Sequence, residues 1–160
     1  MACVGYQSIT GSIFRHWASV TKRSEGKRAN ARVVIYQVMG FLISSDWVIG
    51  EARDLNVRVS DVEAWRSFDR IRREQFPKSR EFTAFLKSSG ETVADLLFRV
   101  RVNLLSARIQ RRIVAGQHGT PAQEHGVEHF VSEFKSKWRA QTYCAPPYAV
   151  SDCGHVQSIL

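Results

Sequence analysis

The 160-residue sequence has no long apolar run and no secretory signal at its start. No stretch approaches the roughly 20 apolar residues that span a membrane. The longest apolar patch, residues 33–43, is interrupted by Gln37 and flanked by charge. Residues 1–10 lack a basic region followed by an apolar region, which a signal peptide needs. The sequence therefore predicts a soluble chain with no transmembrane segment and no visible export signal.

Motifs for catalysis and metal binding are also missing. The sequence contains no P-loop, GxGxxG, HExxH or GxSxG. Its acidic residues are scattered, so no pair suggests acid–base chemistry. His125 and His129 lie four residues apart and could share a helix face, but nothing in the sequence positions a third ligand. We therefore predict no catalytic residue, no metal and no cofactor.

Cysteine is scarce, with only Cys3, Cys144 and Cys153. The last two enclose eight residues, which is not a zinc-ligand spacing, and the nearby His155 still leaves such a site short of ligands. The enclosed loop contains two prolines, and a disulfide would fit it and would indicate an oxidising compartment. From the spacing alone, a disulfide and two free thiols both remain open.

Positive charge is in excess, with 23 Lys and Arg against 15 Asp and Glu, a formal net charge of +8. Such a charge favours anionic partners. However, the basic residues are dispersed and never form a run of five or six, as is usual on the polar faces of helices. The triplets that could contact phosphates are Arg70, Arg72 and Arg73, and Arg108, Arg111 and Arg112. No short recognition helix follows a tight turn, so nucleic-acid binding is an alternative and not the expectation.

Helical periodicity dominates the sequence. After a short extended segment at residues 4–9, apolar spacing predicts a helix over 11–22, and a helix of about 25 residues begins near Ala31. The extended stretch "VRV" (57–59) follows, and then Ser60 and Glu63 form the pattern of a capping box.

The helix that begins at Ser60 is expected to end at Pro77, and a short one to span 81–88. Thr92 and Asp95 suggest a second capping box, which begins a helix running to about Ile113.

The C-terminal part is predicted to contain one more helix. After a loop at 115–120, Thr120 and Pro121 suit the start of a helix over 121–140, which is strongly amphipathic and has Trp138 as the last residue of its apolar face. Residues 142–160 are expected to be irregular. The fold class predicted is all-α with a very short β element, in a single domain over 1–160 with an N-terminal helical module at 4–113.

Four stretches, taken in order along the chain, resemble the corresponding parts of one known protein family. "VGYQSITGSIFRHW" is similar to the opening of that family, where a short strand and Ile-Thr precede the first helix. "QVMGFLISSDWVIGEARDLNVRVSDVEA" resembles its long helix, extended connector and Ser-capped third helix. "REFTAFLKSSGETVADLLFRVRVNLLSARIQRRI" resembles its short helix, Gly and Thr-capped long helix. The tail "FKSKWRAQTYCAPPYAVSDC" resembles the last helix and paired cysteines of actinobacterial members. The family that these stretches resemble is that of the SurA/PrsA-type foldases, in their chaperone domain.

The resemblance implies a SurA/trigger-factor-like helical fold whose C-terminal helix packs back on the N-terminal helices. It implies a holdase that binds unfolded or nascent exported polypeptides outside the cytoplasm, with a Cys144–Cys153 disulfide. In the family, the "VRV" connector lets the third helix and the short helix project as an arm. The aromatic residues that we expect to contact client polypeptide are Trp65, Phe68, Phe76, Phe82 and Phe85.

One departure from the family bears on activity. Typical members insert a parvulin prolyl-isomerase domain before the last helix, but here only seven residues run from Val114 to Thr120. An independent domain needs about 50 residues. We therefore expect no isomerase activity, and an isomerase-related foldase remains the alternative from the enzyme class.

Overall fold

The chain folds into a mostly helical structure with one small sheet. The structure is a computed structural model, and it describes residues 1–26, 30–115 and 120–157, without the side chains of residues 120–124. Helices account for 74% of it, which places it broadly in the all-α class that the sequence predicts. The helices are α1 (Gly11–Glu25), α2 (Ala31–Asp54), α3 (Asp61–Gln75), α4 (Ser79–Ser89), α5 (Val93–Val114) and α6 (Thr120–Ala140).

The sheet joins the two ends of the chain. Its strands are β1 (Ala2–Val4), β2 (Gln7–Ile9), β3 (Thr142–Cys144) and β4 (His155–Val156), in the spatial order β2-β1-β3-β4. β1 pairs antiparallel with β2 and β3, and β3 pairs parallel with β4. Because β1 lies between β2 and β3, the N-terminal residues fix the position of the segment that follows α6.

The main core forms around α2. One face of this helix is buried against α1 and the sheet, and Met39 and Ile43 are fully enclosed. A second, smaller cluster lies between α2 and α5, where Ala52, Leu105 and Ile109 pack together. Both clusters depend on α2, because it contacts α1, α5 and the sheet.

Helix α2 has the length and composition of a membrane span, with a mean hydropathy of 1.5 over 18 residues. The sequence pattern did not indicate this, because polar residues divide the apolar runs of the helix, although its average hydropathy stays high. Within the fold, 44% of that window is buried, as expected for the central helix of a packed core.

The C-terminal helix, α6, packs back on α2. Trp138 is buried, and its Nε1–H donates to Glu51 Oε2 at 2.7 Å. Thr142 Oγ1 accepts from Trp47 Nε1 at 2.8 Å and donates to the carbonyl of Trp138 at 2.7 Å. These bonds satisfy buried polar groups that would otherwise destabilise the core, and they join α2, α6 and β3.

One expectation about the C-terminal part is wrong, and another is confirmed. The segment after α6 is not irregular, because it contains β3, a 3-10 turn at Pro146–Tyr148 and β4. The disulfide that the resemblance implies is present, between Cys144 and Cys153. Strands of two or three residues are too short to show alternation, so periodicity does not reveal them. The predicted loop over 115–120 and the cap at Thr120 lie largely outside the described residues.

Candidate polypeptide-binding surface

Helices α3 and α4 carry the five aromatic residues that the sequence suggests for client contact. α3 begins at a complete capping box, in which Ser60 Oγ accepts from the Glu63 N–H and the Glu63 carboxylate accepts from the Ser60 N–H. Phe76 and Pro77 end the helix, and α4 begins two residues later. The chain therefore turns at Phe76–Lys78 between two amphipathic helices.

The five rings form a continuous series of contacts, which we call the aromatic row. Trp65 meets Phe68 with ring centroids 5.6 Å apart, and Phe68 meets Phe82 at 6.0 Å. Phe82 then meets Phe76 at 5.6 Å, and Phe76 meets Phe85 at 5.0 Å. These centroid separations are typical of favourable edge-to-face and tilted ring pairs. The row thus links the two helices through aromatic packing.

The rings differ in how far they reach solvent. Trp65 is 50% exposed, and Val62, one turn earlier on α3, is 57% exposed. Phe76, Phe82 and Phe85 are half-buried, so each shows part of its ring. Phe68 is only 6% exposed. The hypothesis that Phe68 contacts client does not fit this burial, and its ring instead supports its neighbours from beneath.

The α3–α4 pair is held against the rest of the fold and does not project as a free arm. α3 packs on α5, with Ala64 and Phe68 buried, and α4 contacts α1. The C-terminal end of α4 adopts a left-handed turn at Gly90, where the Arg23 side chain of α1 approaches closely. Because the α3–α4 pair is fixed at both ends, a polypeptide that binds the rings does not have to order these helices, and the entropy cost of binding is lower.

The connector between α2 and α3 explains how α3 is placed. Asn56 adopts φ of 50°, and the Val57 N–H donates to the Ala52 carbonyl at 2.7 Å, which closes the end of α2. Arg108 on α5 donates to the Arg58 carbonyl and to Glu63, and Arg112 donates to the Leu55 carbonyl. Two arginines of the triplet that could bind phosphate therefore contact this connector.

Electrostatics at the start of α3 favour the ionised form of Glu63. Hydrogen bonds from the Ser60 backbone N–H and hydroxyl, and then from Arg108, lower the pKa of Glu63 to about 2. Across residues 61–89 there are seven basic and five acidic side chains, so the surface around the row is mildly positive. This charge would attract acidic segments at long range, more strongly at low salt.

A separate apolar hollow, which periodicity alone does not reveal, lies between α2, α5 and α6. It measures about 130 Å³ and is lined mainly by aliphatic side chains and the rings of Phe130 and Phe134. Periodicity places these residues on the inner face of the last helix, but only the packing of three helices shows that the face is not fully filled. Val131, also on that face, is 37% exposed.

The possible metal ligands His125 and His129 lie on α6, in the part of the chain that the structure describes. No group of three or more His, Cys, Asp or Glu side chains is placed there to hold an ion. His125 and His129 lie beside glutamates of their own helix, Glu128 at 3.8 Å and Glu133 at 3.3 Å. Such pairs are exposed and contribute little to stability.

Comparisons with protein-family models, curated proteins and solved structures gave no match. The similarity to foldase chaperone domains therefore remains a prediction from the sequence.

Proposed function

We propose that this chain is a holdase that binds unfolded or nascent exported polypeptide on the aromatic row and has no prolyl-isomerase activity of its own. The proposal includes a SurA-like fold for the helical part and a location outside the cytoplasm. The Cys144–Cys153 disulfide supports that location, because such bonds persist in oxidising compartments.

The observation that carries the proposal is the exposure of Trp65 beside Val62. Half of an indole ring in water is unfavourable unless the ring has a partner, because aromatic side chains bury more than 150 Å² each when packed. The neighbouring rings extend this surface across to α4, so that an apolar segment could contact several rings in succession. Contiguous exposed apolar surface of this kind marks interaction sites.

The character of the surface suits weak and unselective binding. Ring faces and edges accept many side chains without a fixed hydrogen-bond pattern, and the basic residues around them add attraction that depends on salt. A holdase must release what it binds, so shallow contacts serve it better than a deep pocket. The absence of an isomerase is supported by the seven residues from Val114 to Thr120.

The test is suppression of aggregation of a chemically denatured client, followed by light scattering. A Val62→Ser/Trp65→Ala variant removes the most exposed ring of the row, Trp65, and the exposed valine beside it. A Val33→Ser/Tyr36→Ala variant is the matched control, because those side chains are 46% and 58% exposed at the same spacing on α2. Isomerisation of a proline peptide is measured on the same preparations.

We expect the wild type and the α2 variant to suppress scattering equally, and the α3 variant to lose most of the effect. No suppression by wild type at several-fold molar excess would contradict the proposal. Equal loss in both variants would place binding elsewhere. Catalysed isomerisation that persists through repurification would overturn the non-enzyme assignment.

A further inference from the structure

A second recess lies beside β2, a strand at one edge of the sheet, and away from the aromatic row. It measures about 280 Å³ and is bounded by all three residues of β2 and by side chains of α1, α2 and α5. Its apolar wall includes Ile13, Trp17 and Phe98, and Ile13 is 42% exposed. We call this recess the β2 groove.

The strand along the groove is at an edge of the sheet. β2 pairs with β1 on one side and has no strand on its other side within the described residues. An edge strand presents backbone N–H and C=O groups to which another extended chain can bind. Proteins often block such edges with Lys, Pro or a bulge, but β2 reads Gln-Ser-Ile, and its first two residues are exposed.

The groove also contains two carboxylates that differ in their partners. Asp95 accepts hydrogen bonds from Thr92, and it lies 2.9 Å from Nε2 of His16. Although burial opposes it, these contacts lower the pKa of Asp95. Asp46 on α2 has no hydrogen bond or ion pair to another side chain among the described residues, and burial raises its pKa to about 6.

The carboxylate of Asp46 lacks a cationic partner among the described residues. The chain has 23 Lys and Arg residues, yet in the described part none of them forms an ion pair with this carboxylate. A half-buried carboxylate gains most from a cation that enters its site, because the attraction is screened less there than at the surface. The apolar wall could cover the aliphatic stem of such a side chain while its charged head reaches Asp46.

We propose that the β2 groove binds an extended polypeptide segment that carries one arginine or lysine. The backbone of the segment pairs with β2, and its basic side chain enters the groove and forms an ion pair with Asp46. The stem of that side chain packs on Trp17 and Phe98. The groove is separate from the aromatic row, so this proposal does not rest on the one above.

Fluorescence anisotropy at pH 7.5 with labelled synthetic peptides tests the proposal. The probe is a seven-residue peptide of alternating valine and threonine with arginine at its centre. Three matched peptides replace arginine by citrulline, replace it by leucine, or keep it and methylate alternate backbone nitrogens. The protein variants are Asp46→Asn and, as control, Glu74→Gln, an exposed carboxylate on α3.

We expect the arginine peptide to bind wild type and Glu74→Gln equally and Asp46→Asn about tenfold more weakly or worse. The citrulline, leucine and methylated peptides should bind wild type at least about tenfold more weakly than the arginine peptide. Amide exchange should slow at Gln7–Ile9 when the arginine peptide is bound.

Three results would overturn the proposal. Unchanged binding by folded Asp46→Asn would show that no ion pair forms with Asp46. Equal binding of the leucine peptide would show that the groove binds apolar side chains without selecting a basic one. A peptide-free dimer that protects the amides of Gln7–Ile9 would mean that a second copy of the chain occupies the edge. Thermal unfolding of Asp46→Asn verifies that a loss of binding is not a loss of fold.

Discussion

At the residue scale, Gly50 shows how one position sets the distance between two helices. It lies within α2 directly beneath the indole ring of Trp138, and a Cβ at this position would overlap that ring. From sequence, a glycine inside a helix indicates only a loss of about 1 kcal/mol in helix propensity. The structure gives the reason for it, because the close approach allows the indole N–H to reach the buried Glu51.

Gly50→Ala should therefore destabilise the protein despite the better helix propensity of alanine. The ring must move away, and overpacking of this kind costs about 1–3 kcal/mol. Gly40→Ala on the same helix is the control, since its Cβ would meet nothing closer than Asp152 Oδ2 at 4.0 Å. We expect Gly40→Ala to be neutral or stabilising by up to about 1 kcal/mol. Urea unfolding of both variants measures the difference, and equal effects would contradict this explanation.

Asp46 gives a pH-dependent prediction that does not depend on any ligand. Its pKa is about 6 in the fold and close to the ordinary value when unfolded, so the fold favours the protonated form. The associated stability is complete below about pH 4 and is lost as the pH rises through about 6.

Asp46→Asn should therefore raise the free energy of unfolding at pH 7.5 by about 1–2 kcal/mol, after discounting for partial exposure. At pH 4 the gain should disappear. Unfolding curves at several pH values, with Glu74→Gln as the control, provide the measurement. A gain that is the same at every pH would mean that ionisation is not its cause.

At the scale of elements, the caps of helices were predictable because their signals are local. The boxes at Ser60–Glu63 and Thr92–Asp95 are both complete in the structure, and they begin α3 and α5 where the sequence indicates. Boundaries without such signals were less accurate, since α1 continues to Glu25 and α4 begins at Ser79. The sheet was underestimated, because its pairing of β1 with β3 joins residues more than a hundred positions apart.

The segment after α6 is stabilised by a disulfide bond. Cys144 in β3 and Cys153 before β4 are both buried and joined, and they close a loop of ten residues. In the chain-entropy model, a loop of this size contributes roughly 2–3 kcal/mol.

We expect Cys144→Ala/Cys153→Ala to reduce stability by about 2–3 kcal/mol, while Cys3→Ala, at the free cysteine, has a much smaller effect. Urea unfolding of the two variants measures this. Intact mass after alkylation without reductant provides the parallel check on oxidised protein, where one modified cysteine is expected. Three modified cysteines would show that the disulfide is absent.

At the scale of the whole molecule, the sequence predicted the kinds of residue at the candidate surface better than their exposure. Helical spacing identified the aromatic residues of α3 and α4. It did not predict that Phe68 is buried and Trp65 exposed, which depends on how α3 packs on α5. The β2 groove was not predictable, since it needs β2 and α1 to converge with α2 and α5, which lie farther along the sequence. Local patterns specify elements, whereas sites of this kind arise from tertiary packing.

The central claim, that client polypeptide contacts the aromatic row, is tested most directly by site-specific photo-crosslinking. A benzophenone side chain replaces Trp65 in one preparation and Tyr36, a slightly more exposed position on α2, in another. Both are irradiated with the same denatured client, and the cross-linked product is quantified by mass. The account predicts strong cross-linking from position 65 and little from position 36, and equal yields from the two positions would contradict it.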